Sequence, residues 1–532
     1  MAIIPLTLRS DYWDTFKIQD SDLEFLYNYL LEAETPLTSQ ELIAALIWER
    51  IKNEKKALEN QVLSEGKIYL PKDDYEVGQK LIFPVFHWKT GRVTGVRPGN
   101  NPEVPTFNVI EVAMEGGEKH QFASHLADHR LNEPLTVKLD DPLLDPNLVM
   151  ERYGEELAEN LEESLSTNPD LVRIARRWFP RALLVDVNIG HLNLAEAVLD
   201  MMGGGPVATK TILDQIELPT DVNLKLTEFS LNLALQEDGR FDEVGPAGEV
   251  TWFLKRLEPE QVQQTPVYLR YNPVNYDRSL LTQDMLALEA ELDDELTQTE
   301  QGKAPQIQEA TIRLTYPHWR AGTLPISNRI QRLFPTAYES QRIQFTLVLG
   351  EEGQRVSAWV VRQNRYVFGL REWYIAHNII PGSLIHIRKS KTPGEVMVQA
   401  EKRRPTREWI RTVLVGADGG IVFAMLKQNV VTNFDERMVI AVPDVEGVDQ
   451  VWEQSSRQRL SFENAVTNTM RELSKLNLQG HVHAQELYSA VNIIRRSPPG
   501  PIFSTLASRP WFIHVGDLYY RVDEEALEER KG

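Results

Sequence analysis

The sequence predicts a multi-domain α+β protein in which small helical bundles alternate with small all-β modules. Three observations lead there. A chain of 532 residues exceeds what one core can organise, implying roughly three to five domains of ~100–200 residues each. Its hydrophobic fraction of 42% is enough for several cores and excludes a disordered chain. The apolar pattern also switches repeatedly between helical spacing and strand alternation. The chain has 0 Cys, which excludes a disulfide framework, a thiolate nucleophile and a Cys-ligated zinc. No run approaches the ~18 apolar residues of a membrane helix, and the first 14 residues lack a basic region followed by an apolar one. A cytoplasmic protein with no membrane partner is the expectation.

The elements follow in order. In 1–66, Asp20-Ser21-Asp22 offers N-cap chemistry, and Leu23, Leu26, Tyr27, Leu30 and Leu31 recur at helical spacing. Thr35-Pro36-Leu37 stops that helix, and Thr38 or Ser39 caps a second one bearing Leu42, Ala45, Leu46 and Ile51. This arrangement predicts a winged-helix-like opening. Residues 67–140 change to short strands separated by Gly, Pro and Asn, predicting a small SH3-like β-barrel. Residues 145–260 read as helices and then a strand pair around Phe241 and Trp252, a second winged-helix-like pattern. The acidic stretch 261–310 reads as a linker. Residues 311–405 form a basic β module, 406–447 a β-hairpin region, and 448–525 a long helix followed by a third winged-helix-like block.

Two segments resemble known families. In the last block, a helix over 484–490 and another over 502–506 precede Trp511-Phe512-Ile513-His514-Val515-Gly516 and Leu518-Tyr519-Tyr520-Arg521. This resembles HARE-type winged-helix domains and the related amino-terminal domain of the RNA polymerase delta subunit. The resemblance implies binding to DNA or to transcription partners. The second segment is Tyr366-Val367-Phe368-Gly369-Leu370-Arg371-Glu372-Trp373-Tyr374, then Ile380-Pro381-Gly382-Ser383-Leu384-Ile385. Strand, short helix, Pro-Gly and strand are similar to the DNA-binding pseudobarrel of plant transcription factors and some restriction-enzyme effector domains. Together the two resemblances cover less than half of the chain.

The charge distribution carries the functional reading. The formal net charge is −20, which on an even surface would repel phosphate. Residues 311–415, however, hold 17 Lys and Arg against 7 Glu and no Asp, a net of +10, leaving −30 for the rest. Just before them, 281–302 holds seven acids and no base. Such segregation points to a polyanionic partner, double-stranded DNA first. Arg355, Arg362, Arg365, Arg371, Arg388, Lys389, Lys391, Lys402, Arg403, Arg404 and Arg407 are the candidate contacts in the basic module, with Arg495 and Arg496 beside the last block. Lysines and arginines neutralise phosphates, and an arginine can also read guanine in the major groove. Trp359 and Tyr366 read as buried core rather than base-stacking platforms. A protein partner such as RNA polymerase is the alternative, as is a targeting role in a restriction or defence system.

Catalytic constellations are thin. His125, Asp128 and His129 could share a helical face as metal ligands, with His120 nearby, but polar surface histidines are the preferred reading. The glycine runs at 203–205 and 416–420 lack the context of a phosphate-binding loop. The expectation is a non-enzymatic protein with no cofactor and no metal.

Overall fold

A computed structural model describes residues 8, 11–64, 67–83, 86, 89–101, 106–114, 117–132, 141–216, 218, 223–297, 305–337, 339–417, 419–457 and 461–529. They form a mixed α/β structure of two compact units, one from 1–186 with 219–230, the other from 187–218 with 231–532. Among the described residues, no helix is long and apolar enough to cross a membrane.

The first unit opens with α1 (Asp20–Ala33), β1 (Leu37–Thr38) and α2 (Ser39–Ser64). Gln19 rather than Asp20 caps α1, and Asp22 returns the bond by accepting the Gln19 N–H at 2.9 Å. Leu26, Leu30, Leu42, Leu46 and Ile51 are buried, as their spacing predicts. Next come β2 (Lys67–Ile68), β3 (Lys80–Phe83), β4 (Lys89–Pro98), β5 (Asn108–Met114) and β6 (Lys119–Ser124), paired in chain order as one five-stranded sheet. Tyr69, Phe83, Ile110 and Val112 lie in its core. The unit continues with α3 (Pro146–Ser166), β7 (Leu171–Ile174) and β8 (Arg177–Pro180). Asp145 caps α3, whose first residue is proline, a favourable start because proline has no N–H to satisfy.

Here the structure departs from the predicted boundaries at 66 and 145. Strand β8 pairs with β1, Leu37 opposite Trp178, and the Trp178 indole donates to Ser39 Oγ at 3.0 Å. Residues 146–180 therefore complete the bundle begun by α1 and α2, and the five-stranded sheet is inserted between α2 and α3. A two-residue strand has no periodicity to read, so the link was hidden.

The second unit begins with α4 (Ile189–Met201), β9 (Val207–Ala208) and α5 (Thr209–Leu213). Helix α6 (Leu224–Glu237) follows, its first residues belonging to the first unit, then β10 (Phe241–Glu243) and β11 (Thr251–Leu254). Trp252 is fully buried and donates to Asn232 Oδ1 at 2.9 Å. After α7 (Glu260–Gln263) and α8 (Gln283–Leu292) come β12 (Glu309–Arg313), α9 (Tyr316–Ala321), β13 (Thr323–Pro325), β14 (Arg342–Leu349), β15 (Gln354–Val361), β16 (Tyr366–Phe368), α10 (Arg371–Ala376), β17 (Leu384–Lys389) and β18 (Glu395–Ala400). Their seven strands form one curled sheet, β12-β17-β18-β14-β15-β16-β13, with β14 and β18 parallel. A long ribbon, β19 (Lys402–Val415) with β20 (Ile421–Thr432), leads to α11 (Val445–Arg457), α12 (Phe462–Ser474), β21 (Val482–His483), α13 (Ala484–Ile494), α14 (Pro499–Ser508), β22 (Phe512–Gly516), β23 (Tyr519–Val522) and α15 (Glu524–Glu529).

One pattern occurs three times: helix, strand, helix, helix, strand, strand, with the third strand between the first and the second. The sheets are β1-β8-β7, β9-β11-β10 and β21-β23-β22. In the last copy the opening helix is α12, and the helix expected at 484–490 is the second, capped by His483. Burial lowers the His483 pKa to about 4, helped by the Arg437 charge, so the ring stays neutral and accepts the Gln485 N–H.

Residues 261–297 of the expected linker pack into the second unit instead. Met285 and Leu288 of α8 are buried, and Asp294 and Glu295 lie in the interior. Arg496, fully buried, donates to Asp294 at 2.8 and 2.9 Å and to Glu295 at 2.6 Å. The Tyr488 hydroxyl adds a 2.5 Å bond to Asp294, and His318 Nε2 lies 3.1 Å from Glu295 Oε1. Burial pushes the Glu295 carboxyl up, but the charges of Arg496 and His318 outweigh it and hold the group ionised. Residues 298–304 lie outside the described residues.

Two predictions follow from this packing. Arg496→Ala strands two buried carboxylates and is expected to destabilise the second unit by about 3–5 kcal/mol in urea unfolding, while joint replacement with Asp294→Asn and Glu295→Gln costs less. The second concerns Glu243 and Glu258. Burial raises both to about 8, with Glu339 and Asp242 adding to Glu243, and Asp242 to Glu258 against the opposing Arg342 and Lys255. A carboxyl held above its unfolded value stabilises fully below about pH 4.3, and that stability is lost as pH rises through about 8. The melting temperature of the second unit should therefore fall from about pH 5 to about pH 8 and level off above it, and Glu243→Gln with Glu258→Gln should flatten that fall.

Candidate nucleic-acid interface

The cations of 311–415 sort into two populations. Arg313 pairs with Glu291 and Asp435, Arg320 with Asp449, Arg329 with Asp293, and Arg342 with Asp242 and Glu258. Arg411 is buried and donates to Glu486 at 2.8 Å. These arginines are joints between the basic sheet, its ribbon and acidic neighbours in the same unit. Part of the sequence-level excess is thus answered internally.

The second population is exposed. Arg388 and Lys389 end β17, opposite Met397 and Val396 of β18, and Lys391 lies in the turn between them. Arg355 on β15 reaches the same turn by pairing with Glu395 at 3.1 Å, remaining 67% exposed. A further set lines the start of the ribbon, where Lys402, Arg404 and Arg407 are exposed. Arg403 is drawn inward, bonded to Glu408 and set over the Phe434 ring at 5.5 Å. Among the described residues, Arg388, Lys389, Lys391, Lys402, Arg404 and Arg407 form no ion pair.

Trp409 lies outside the cations that the sequence pattern nominates, and it is the most telling residue of the ribbon. It is 62% exposed, and Lys427, its cross-strand partner, sits over the ring at 5.4 Å. Strand alternation puts Trp409 on the same face as Arg407, so the signal lay in the period of two. Met425 and Leu426 beside it are also exposed. An exposed indole flanked by cations can stack on a base or an apolar partner surface.

The remaining predicted contacts lie elsewhere. Arg362 is exposed in the turn between β15 and β16. Arg365 in that turn has a positive φ of 55° and donates to the Glu295 carbonyl at 2.8 Å. Arg371 starts α10 on the rim of a cavity of about 850 Å³. Arg495 stacks on Phe462 at 5.4 Å, with its pKa lowered by burial. Arg496 cannot meet DNA from the buried position described above, and the expectation for it is corrected: its guanidinium is a core ion. Trp359 and Tyr366 are core residues, at 3% and 0% exposure.

The histidine constellation does not assemble. His125 bonds Asp74 at 3.0 Å, while His129 Nδ1 accepts the Leu131 N–H, and neither residue is helical. Among the described residues, no group of three metal-ligating side chains forms. The third helices of the three repeats offer little to phosphate. α3 carries six Glu and one Arg, α6 carries Lys225 against Glu228 and Glu237, and α14 has no charge and is largely buried. Comparison with protein-family models, with curated proteins and with solved structures finds no match to this chain.

The division of cations makes a direct prediction. Trp409→Ala should leave the free energy of urea unfolding unchanged within about 0.5 kcal/mol, as surface substitutions do. Arg411→Ala should cost about 3–5 kcal/mol by leaving Glu486 without its buried partner.

Proposed function

We propose that this chain is a non-catalytic, cytoplasmic DNA-binding protein whose contact surface is the β17–β18 turn together with the β19–β20 ribbon. The observation that carries the reading is the sorting just described: interior cations are matched by acids, while Arg388, Lys389, Lys391, Lys402, Arg404 and Arg407 are exposed and unmatched. From Met397, beside Arg388, to Lys402 the chain advances five residues, about 16 Å at ~3.3 Å per residue. That separation suits cations reaching phosphates on both sides of a major groove roughly 12 Å wide. In this reading the seven-stranded sheet is a pseudobarrel-like module, the five-stranded sheet an SH3-like barrel, and the three repeats winged helices of the HARE and RNA polymerase delta type. Arg355, Arg362 and Arg371 are secondary contacts.

A second role is favoured by the third helices. A winged helix usually reads DNA through that helix, and here α3 is acidic while α14 is largely buried. We infer that these modules dock protein partners, as a transcription accessory factor or the targeting subunit of a defence system would. Their acidity also limits non-specific sliding along DNA.

The test uses the full chain and a short duplex at several salt concentrations. The logarithm of the binding constant should fall linearly with that of salt, by about 0.9 per phosphate neutralised. Arg388→Ala, Lys389→Ala and Lys391→Ala together should reduce the slope by about 2–3. Absence of binding at low salt would refute the proposal, and an unchanged slope would move the site off the turn.

A further inference from the structure

The first unit contains a groove that the DNA reading does not use. It lies between α1 and α2, encloses about 970 Å³, and is floored by Phe25, Tyr29, Ala44, Ala45 and Trp48. Helical spacing explains the depression. Ala44 and Ala45 precede Trp48 by four and three positions on α2, so two small side chains leave the space beside the indole open. Trp48 is 59% exposed and Tyr29 38%, although Leu42, Ile43, Leu46 and Ile47 of the same helix are buried. The helix thus carries its core-facing stripe and a second apolar patch on another face, the mark of an interaction surface rather than of packing.

The rim is electrically polarised. Glu41 is already satisfied by the Thr38 N–H and hydroxyl at 2.8 and 2.9 Å. Glu49 is paired with Lys52 at 3.0 Å. Lys55 and Lys56, also on the rim, form no ion pair among the described residues. The uncompensated charge at the C-terminal end of the groove is therefore positive, beside an aromatic floor. An acidic duplex backbone would meet the cations but gain nothing from Phe25, Tyr29 and Trp48. An amphipathic helix suits both features, because apolar residues at i, i+3, i+4 and i+7 fill a groove while flanking acids pair with lysines.

We propose that this groove docks an acidic amphipathic helix of a partner protein, with Trp48 as the central anchor and Lys55 and Lys56 fixing its direction. The proposal is independent of DNA binding at the ribbon.

The experiment titrates the full chain into three fluorescein-labelled synthetic peptides of about four helical turns. One carries Leu and Phe at i, i+3, i+4 and i+7 with Glu on its flanks, the second has Lys for Glu, and the third has Ser for the apolar residues. Saturable binding of the first is expected, weakened roughly tenfold or more by Trp48→Ala, as removal of an aromatic anchor typically does. Lys55→Glu with Lys56→Glu should weaken the acidic peptide and strengthen the Lys-bearing one. The exposed Lys pair serves as the independent readout should Trp48→Ala disturb folding. Equal binding of the acidic and Ser peptides would overturn the proposal. So would a wild-type dimer, seen by sedimentation and dissociated by Trp48→Ala, because the groove would then hold a second copy of this chain.

Discussion

The ion cluster around Arg496 is the constraint on which the second unit depends. A guanidinium out of water would be severely destabilising alone, and here two carboxylates and an asparagine accept from it, while Tyr488 donates to one of those carboxylates. The cluster draws on three parts of the unit. Asp294 and Glu295 follow α8, His318 belongs to α9, and Tyr488 and Asn492 belong to α13. One charge thus fixes the acidic segment, the basic sheet and the last repeat in a single arrangement. The geometry is specific because a bidentate guanidinium tolerates little rotation.

Electrostatics of this kind also shapes the surface. Acids from α8, β10, α11 and the segment after β20 reach into the basic module and neutralise the arginines they meet. Six of the cations they do not reach lie at one turn and along one ribbon, while Arg332, Arg362 and Arg371 are exposed elsewhere on the module. These acids of the second unit therefore define the cationic surface by subtraction. The 17 cations of 311–415 are alike in net charge but not in what surrounds them.

Several features were legible in the sequence. The spacing of Leu26, Leu30, Leu42 and Leu46 gave helices with the correct buried face, and Phe241 does pair with Leu254 across a short hairpin. Local pattern suffices there because the partners are near in sequence. The failures are non-local. Leu37 and Thr38 make a strand only because Trp178 and Arg177 lie opposite. Asp294 and Glu295 read as solvated linker because the arginine that buries them is 202 positions away from Asp294. Arg496 failed for the same reason: a cation in sequence carries no mark of being inside. Trp409 was readable from its alternation with Arg407, but its exposure depended on how the ribbon leaves the sheet.

Lysine acetylation footprinting of the full chain, with and without a short duplex and read by mass spectrometry, tests the central claim most directly. The account predicts protection of Lys389, Lys391, Lys402 and Lys427 by DNA, with Lys52, Lys55 and Lys56 labelled equally in both states. Equal labelling of the first four lysines under conditions where the duplex is bound would contradict it.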